Sequence, residues 1–132
     1  MDSKRLALQQ GLVVFAKNKK RVSAFYQQTL GLAIEESAPS HDLLRGNGYE
    51  VVIHAIPRKY AASITIARPP LPRDDTPFKP TYVVPDLEAV RTAVLHTGGF
   101  LKPMEMAWRF RGCVVLDGWD PEGNIVQFKQ VE

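Results

Sequence analysis

Apolar residues fall along the chain in short runs with two kinds of spacing. Gly11-Leu12-Val13-Val14-Phe15-Ala16 is a β-branched and aromatic run that predicts a half-buried or buried strand. Val22, Phe25, Tyr26 and Leu30 then recur at three- and four-residue steps, the stripe of an amphipathic helix, and Gly31 follows as a left-handed cap. Leu32-Ala33-Ile34-Glu35 opens a second strand, Ser37-Ala38-Pro39-Ser40 reads as a loop, and Asp42-Leu43-Leu44-Arg45 is a third strand. Gly46-Asn47-Gly48 joins it to Tyr49-Glu50-Val51-Val52-Ile53-His54-Ala55-Ile56, because Asn-Gly supplies the left-handed positions of a tight hairpin. The first half therefore reads strand, helix, three strands.

Six of the ten prolines fall between Pro57 and Pro80, so regular pairing is interrupted there. Within that stretch Tyr60-Ala61-Ala62-Ser63-Ile64-Thr65-Ile66 is compatible with either a helical turn or a short strand. Beyond it the order recurs: Thr81-Tyr82-Val83-Val84 predicts a strand, Asp86 a helix cap, Leu87, Val90 and Val94 an apolar stripe, and Gly98-Gly99 a stop. Asn18 and Asp86 lie 68 residues apart, as do Gly31 and Gly99, so the helix starts and stops of both halves align. Phe100 to Met104, Gly112 to Leu116 and Asn124 to Lys129 complete the second unit, and the turn Asp120-Pro121-Glu122-Gly123 delivers the last strand with Gln127 pointing inward. The expected class is α+β: one domain of two βαβββ repeats, residues 10–56 and 79–130, joined by the connector 57–78.

From about Leu12 to Phe128 the chain resembles the vicinal oxygen chelate superfamily, which holds glyoxalase I, extradiol dioxygenases, fosfomycin-resistance enzymes and bleomycin-resistance proteins. Phe25-Tyr26 with Leu30-Gly31, the Asp86 helix with Gly98-Gly99, and Asp120-Pro121-Glu122-Gly123-Asn124 carry the resemblance. It implies a cupped sheet around a small-molecule site, a divalent ion on a His/Glu set in the metal-using members, and commonly a homodimer. Position by position, the first-strand histidine falls at Gly11, and its second-half counterpart at Pro80 or Lys79. The two carboxylates fall at His54 and Gln127. One good ligand against the roughly three that a catalytic ion needs means no metal and no cofactor are expected.

Two function classes follow. One is a metal-independent binder of a small molecule, with a ligand site at His54, Gln127, Tyr82, Trp108, Arg109 and Phe110. In this reading His54 and Gln127 occupy matching strands and face each other, the aromatic residues stack a flat ligand, and Arg109 or Arg111 favours an uncharged or anionic one over a cation. The other is a lyase, isomerase or dioxygenase using a displaced metal or acid–base chemistry at His54 or Glu105, the latter read as a strand residue between Met104 and Met106. A purely structural or regulatory dimer has no positive signal. His96 and His41 are read as structural or surface residues, His41 in a loop, while Trp119 either closes the cavity or caps the core.

Composition narrows this further. With 132 residues, 45% of them hydrophobic, one core is affordable and two are not. The net charge of +3 is scattered except at Lys17-Asn18-Lys19-Lys20-Arg21, where no aromatic residue interleaves the cations, so a solvated helix start is expected and no nucleic-acid partner. Cys113 is the single cysteine and fits a reducing cytoplasm as a buried strand residue. No apolar run is long enough for a signal peptide or membrane span.

Overall fold

The computed structural model describes residues 9–132. Strand β1 (Gln10–Ala16) leads into helix α1 (Lys19–Leu30), followed by β2 (Ala33–Ala38), β3 (His41–Gly46) and β4 (Tyr49–Ala55). These strands form one sheet in the order β1-β4-β3-β2, with β1 parallel to β4 and the other pairs antiparallel. A short helix α2 (Arg58–Ala61) opens the connector. Then come β5 (Thr81–Val84), α3 (Leu87–Thr97), β6 (Phe100–Leu101), β7 (Trp108–Phe110), β8 (Cys113–Trp119) and β9 (Ile125–Val131). The second sheet runs β5-β9-β8, with β6 and β7 both paired to β8, so it repeats the first with its outer strand split in two.

Both long helices start and stop where the chemistry of their ends requires. Asn18 accepts a hydrogen bond from the Arg21 N–H and Asp86 one from Glu88 N–H, while Gly31 and Gly98 take left-handed caps. Burial alternates along β1, β3, β4, β5 and β9. Val14 and Ala16 are 7% and 0% exposed, whereas Val13 and Phe15 between them are 53% and 61% exposed. One face of each sheet therefore packs on its helix, α1 lies against α3, and a continuous core runs from Val22, Phe25 and Tyr26 to Leu116, Val126 and Phe128. Gly99 sits at the junction, where a Cβ would stand 2.5 Å from the Phe25 ring and 2.7 Å from the Trp119 carbonyl oxygen.

Of the two readings open for Tyr60 to Ile66 the structure takes the helical turn: α2 ends at Ala61 and a turn follows, with Ile64 N–H bonded to Ala61 C=O. Three details depart from the sequence reading. The segment Ser37 to Ser40 is loop only at its tip, because β2 runs to Ala38, and His41 begins β3 rather than standing in a loop. The strand expected from Phe100 to Met104 stops at Leu101, since Pro103 has no N–H to give a ladder. Glu105 consequently lies in an exposed 3-10 turn, Met104–Met106, and not on a strand between two sulfurs.

Candidate functional site

The turn before β9 is a structural clasp. Asp120, fully buried, accepts hydrogen bonds from the Tyr26 hydroxyl (2.8 Å), the Glu122 N–H (2.8 Å), and the N–H and side-chain amide of Asn124 (3.1 and 2.8 Å). Burial pushes its carboxyl above the usual range against the pull of those donors, and burial with the Asp120 charge drives the Tyr26 phenol well up. Glu122 next to it accepts from the N–H groups of Lys17 (2.8 Å) and Asn18 (2.7 Å), so the turn caps the first helix of the other half.

The uncovered face of the second sheet gathers aromatic and polar side chains, because residues two apart share a face. Trp108 pairs with Val115 and Phe110 with Cys113, which places both rings there, 42% and 49% exposed. Lys79 stands 5.9 Å from the Trp108 ring centre and Lys129 5.3 Å from that of Phe110. Beside them Asp117 receives Lys79 (2.9 Å) and the Gln127 amide nitrogen (3.2 Å), and the Gln127 amide oxygen accepts from Thr81 (3.2 Å). Phe100 stacks on Trp119 with centroids 4.4 Å apart, and the Trp119 indole N–H bonds to Pro70 C=O.

Gln127, Trp108 and Phe110 thus share one face, and Tyr82, His54 and Arg109 do not join them. Arg109 points to the opposite side of β7 and pairs with Glu132 at 2.7 Å, while Arg111, a turn residue with φ of 50°, brings its guanidinium 5.6 Å from the Phe110 ring centre. Tyr82 does not share that face: it is 5% exposed, borders the groove beside β1 from the core, stands edge-on to Tyr49 at 4.8 Å, and burial with Tyr49 pushes its phenol up to about 12. His54 lies on the uncovered face of the first sheet, 5.6 Å from the Phe15 ring and opposite His41, which is held by Glu36 at 2.5 Å. His54 and Gln127 occupy matching strands but not matching rungs. Phe15 pairs with His54 whereas Thr81 pairs with Gln127, so the 68-residue repeat sets His54 opposite Lys129 and Gln127 opposite Val52. Lys79, considered in the sequence only as a metal-ligand position, stands on this face as a cation, and Lys129 and Asp117 join it unforeseen, although the two-residue step from Gln127 to Lys129 is visible in the sequence.

Between the halves runs a groove beside β1. A cavity of about 300 Å³ is bordered by Val13, Phe15, Arg73, Phe78 and Ile125, and a neighbouring one of about 310 Å³ by Gly11, Phe78, Lys79, Pro80 and Thr81. Gly11 and Pro80, where the resemblance puts histidine ligands, therefore line one cavity. Their donor chemistry does not fit a metal: neither has a donating side chain, the Gln127 amide is engaged at both ends, and no cluster of three or more His, Cys, Asp or Glu suited to an ion occurs among the described residues.

A paired βαβββ architecture with two half-uncovered sheets defines the class. No family model matches the sequence, and no curated protein does. Solved structures do match its fold. A glyoxalase/bleomycin resistance protein/dioxygenase family enzyme from Burkholderia phytofirmans PsJN aligns over 96% of this chain and 100% of its own at a TM-score of 0.66 and 20% identity. A glyoxalase/bleomycin resistance protein from Albidiferax ferrireducens T118 covers the same shares at 0.64 and 17%. Fosfomycin resistance protein FosX from Mesorhizobium loti aligns over 96% of this chain and 92% of its own at 0.63 and 9%. The chain has the glyoxalase/bleomycin-resistance fold, the fold of the vicinal oxygen chelate superfamily. No helix among the described residues is long and apolar enough to cross a membrane.

Proposed function

We propose that the protein binds a flat small molecule, uncharged or anionic, on the uncovered face of the second sheet, without the family metal. One observation carries the reading: two half-exposed aromatic rings, Trp108 and Phe110, each lie beneath a lysine, next to the Asp117–Gln127–Thr81 row. The rings offer stacking area and the lysines attract negative charge, while the polar row fixes orientation. A second copy of the chain covers this face in a cytoplasmic homodimer, since Phe100, Trp108 and Phe110 on it, with Phe15 on the first sheet and Phe78 in the connector, are all exposed in the single chain. Both tryptophans of the chain stand on this face, so a metabolite screen read by tryptophan fluorescence reports on it directly. Hits should bind at least tenfold more weakly to Trp108→Ala or Phe110→Ala. Hits that bind both variants unchanged would move the site elsewhere.

A second reading, acid–base catalysis at His54, is favoured by the neighbouring His41–Glu36 pair, which holds a second imidazole beside it. It requires that His54→Ala abolish turnover of a bound hit while leaving its affinity intact.

A further inference from the structure

The basic run at the start of α1 does more than meet solvent. Lys17, Lys19 and Arg21 line a cavity of about 510 Å³ together with Arg68, which arrives from the connector 47 residues after Arg21. Thr65, Ile66 and Pro121 complete its walls, and Glu122 forms its base. The volume falls within the range of small-molecule sites.

The charges there are only partly balanced. Lys19 pairs with Asp42 at 2.7 Å, and Glu122 spends both carboxylate oxygens on the backbone N–H groups of Lys17 and Asn18. Among the described residues no carboxylate lies within ion-pair distance of Lys17, Arg21 or Arg68, so the four cations outnumber the two carboxylates by two. Two of the side chains are held in place rather than free in solvent. The Lys17 ammonium donates to Ile64 C=O across the connector, and the Arg21 guanidinium lies against Gly98 at the end of α3. Cations brought together from two distant segments and left in excess round a concavity make a preorganised receptor for a multiply charged oxyanion. No aromatic side chain lines the cavity to stack a base, which argues against a nucleic-acid strand.

We propose that this cavity binds the phosphate groups of a small phosphorylated metabolite, at a site separate from the aromatic face. Lys17, Arg21 and Arg68 contact the phosphate oxygens, with Arg21 and Arg68 able to engage them in a bidentate manner.

The test uses inorganic pyrophosphate as the probe on the full chain at low ionic strength, with calorimetry for affinity and amide NMR for location. Saturable binding should perturb the amides of residues 17–21 and 65–68, leave those of Trp108 and Phe110 unmoved, and weaken at least tenfold in Lys17→Ala/Arg68→Ala. Both substituted side chains are exposed, and an unchanged melting temperature establishes that the double variant is folded. The control Lys20→Ala/Lys102→Ala removes two charges outside the cavity and should bind as the parent does. Absence of saturable binding, an equal loss in the control, or tighter binding of a single-stranded oligonucleotide at the same amides would each overturn the proposal.

Discussion

On the uncovered face of the first sheet, Arg45 bridges Glu35 and Glu50, and His41 holds Glu36. On the matching face of the second, Trp108 and Phe110 lie under lysines and a buried carboxylate binds an amide. Topology and helix caps are the same in both halves, and so is the alternation of burial. Packing against a helix constrains only every second residue of a strand, so two copies of one architecture can keep their covered faces alike while the uncovered faces diverge in chemistry.

That division is broken most directly at the core. Phe128, fully buried on the covered face of β9, should cost about 3–5 kcal/mol when changed to alanine, read from urea midpoints at constant slope. Phe110→Ala on the uncovered face should stay within about 0.5 kcal/mol. Comparable losses at the two positions would mean that the uncovered face also holds the fold together.

Next in size is the clasp. Asp120→Ala strands the buried Tyr26 hydroxyl and two backbone N–H groups, and a loss of about 1–3 kcal/mol is expected, measured by thermal melting. Tyr26→Phe removes one of those bonds and should cost less.

Asp42 and Asp120, both buried, should respond to pH with opposite signs. Burial works to raise the Asp42 carboxyl, but hydrogen bonds from Lys19, Ser37 and Ser23 outweigh it and hold the group below its ordinary value. The folded state then binds fewer protons than the unfolded one. Its stabilising contribution is complete above the unfolded value of about 3.9 and is lost as pH falls through the folded value. Asp120 is raised, so its contribution is complete below the unfolded value and is lost as pH rises through the folded one. Stability curves from about pH 3 to 7 should show less acid loss in Asp42→Asn and a flatter upper limb in Asp120→Asn. Curves superimposable on the parent's would remove both assignments.

The smallest effect on the fold concerns association. Sedimentation at tens of micromolar should give a dimer, and Phe15→Glu or Trp108→Glu should give a monomer of unchanged melting temperature if that face is the contact. A monomeric parent would leave the uncovered faces to small molecules alone.

Much of the scaffold was legible because its signals are local. Asn18 and Asp86 as caps, Gly31 and Gly98 as stops, and the Asn47-Gly48 hairpin each follow from the conformational needs of one or two residues. The site was less legible because it depends on pairing between strands. Tyr82 carries no mark of which face it takes until β5 is set against β9, and the two-residue slip between His54 and Gln127 is invisible without that register. Arg109 was grouped with its neighbours in sequence, although strand alternation separates it from Trp108 and Phe110. Pro103 was the one overlooked local signal, and it moved Glu105 from strand to turn.

The ties at the starts of the two helices differ in reach. Leu87 N–H at the start of α3 donates to Gln130 of β9, from its own sheet, while Glu122 holds the N–H groups just before α1 from 104 residues beyond Asn18. Asn18 already caps the first turn of α1 through the Arg21 N–H, so Glu122 is not needed to start that helix. What it adds is a non-local tie between the two halves, whose formation carries the closure entropy of a loop spanning most of the chain.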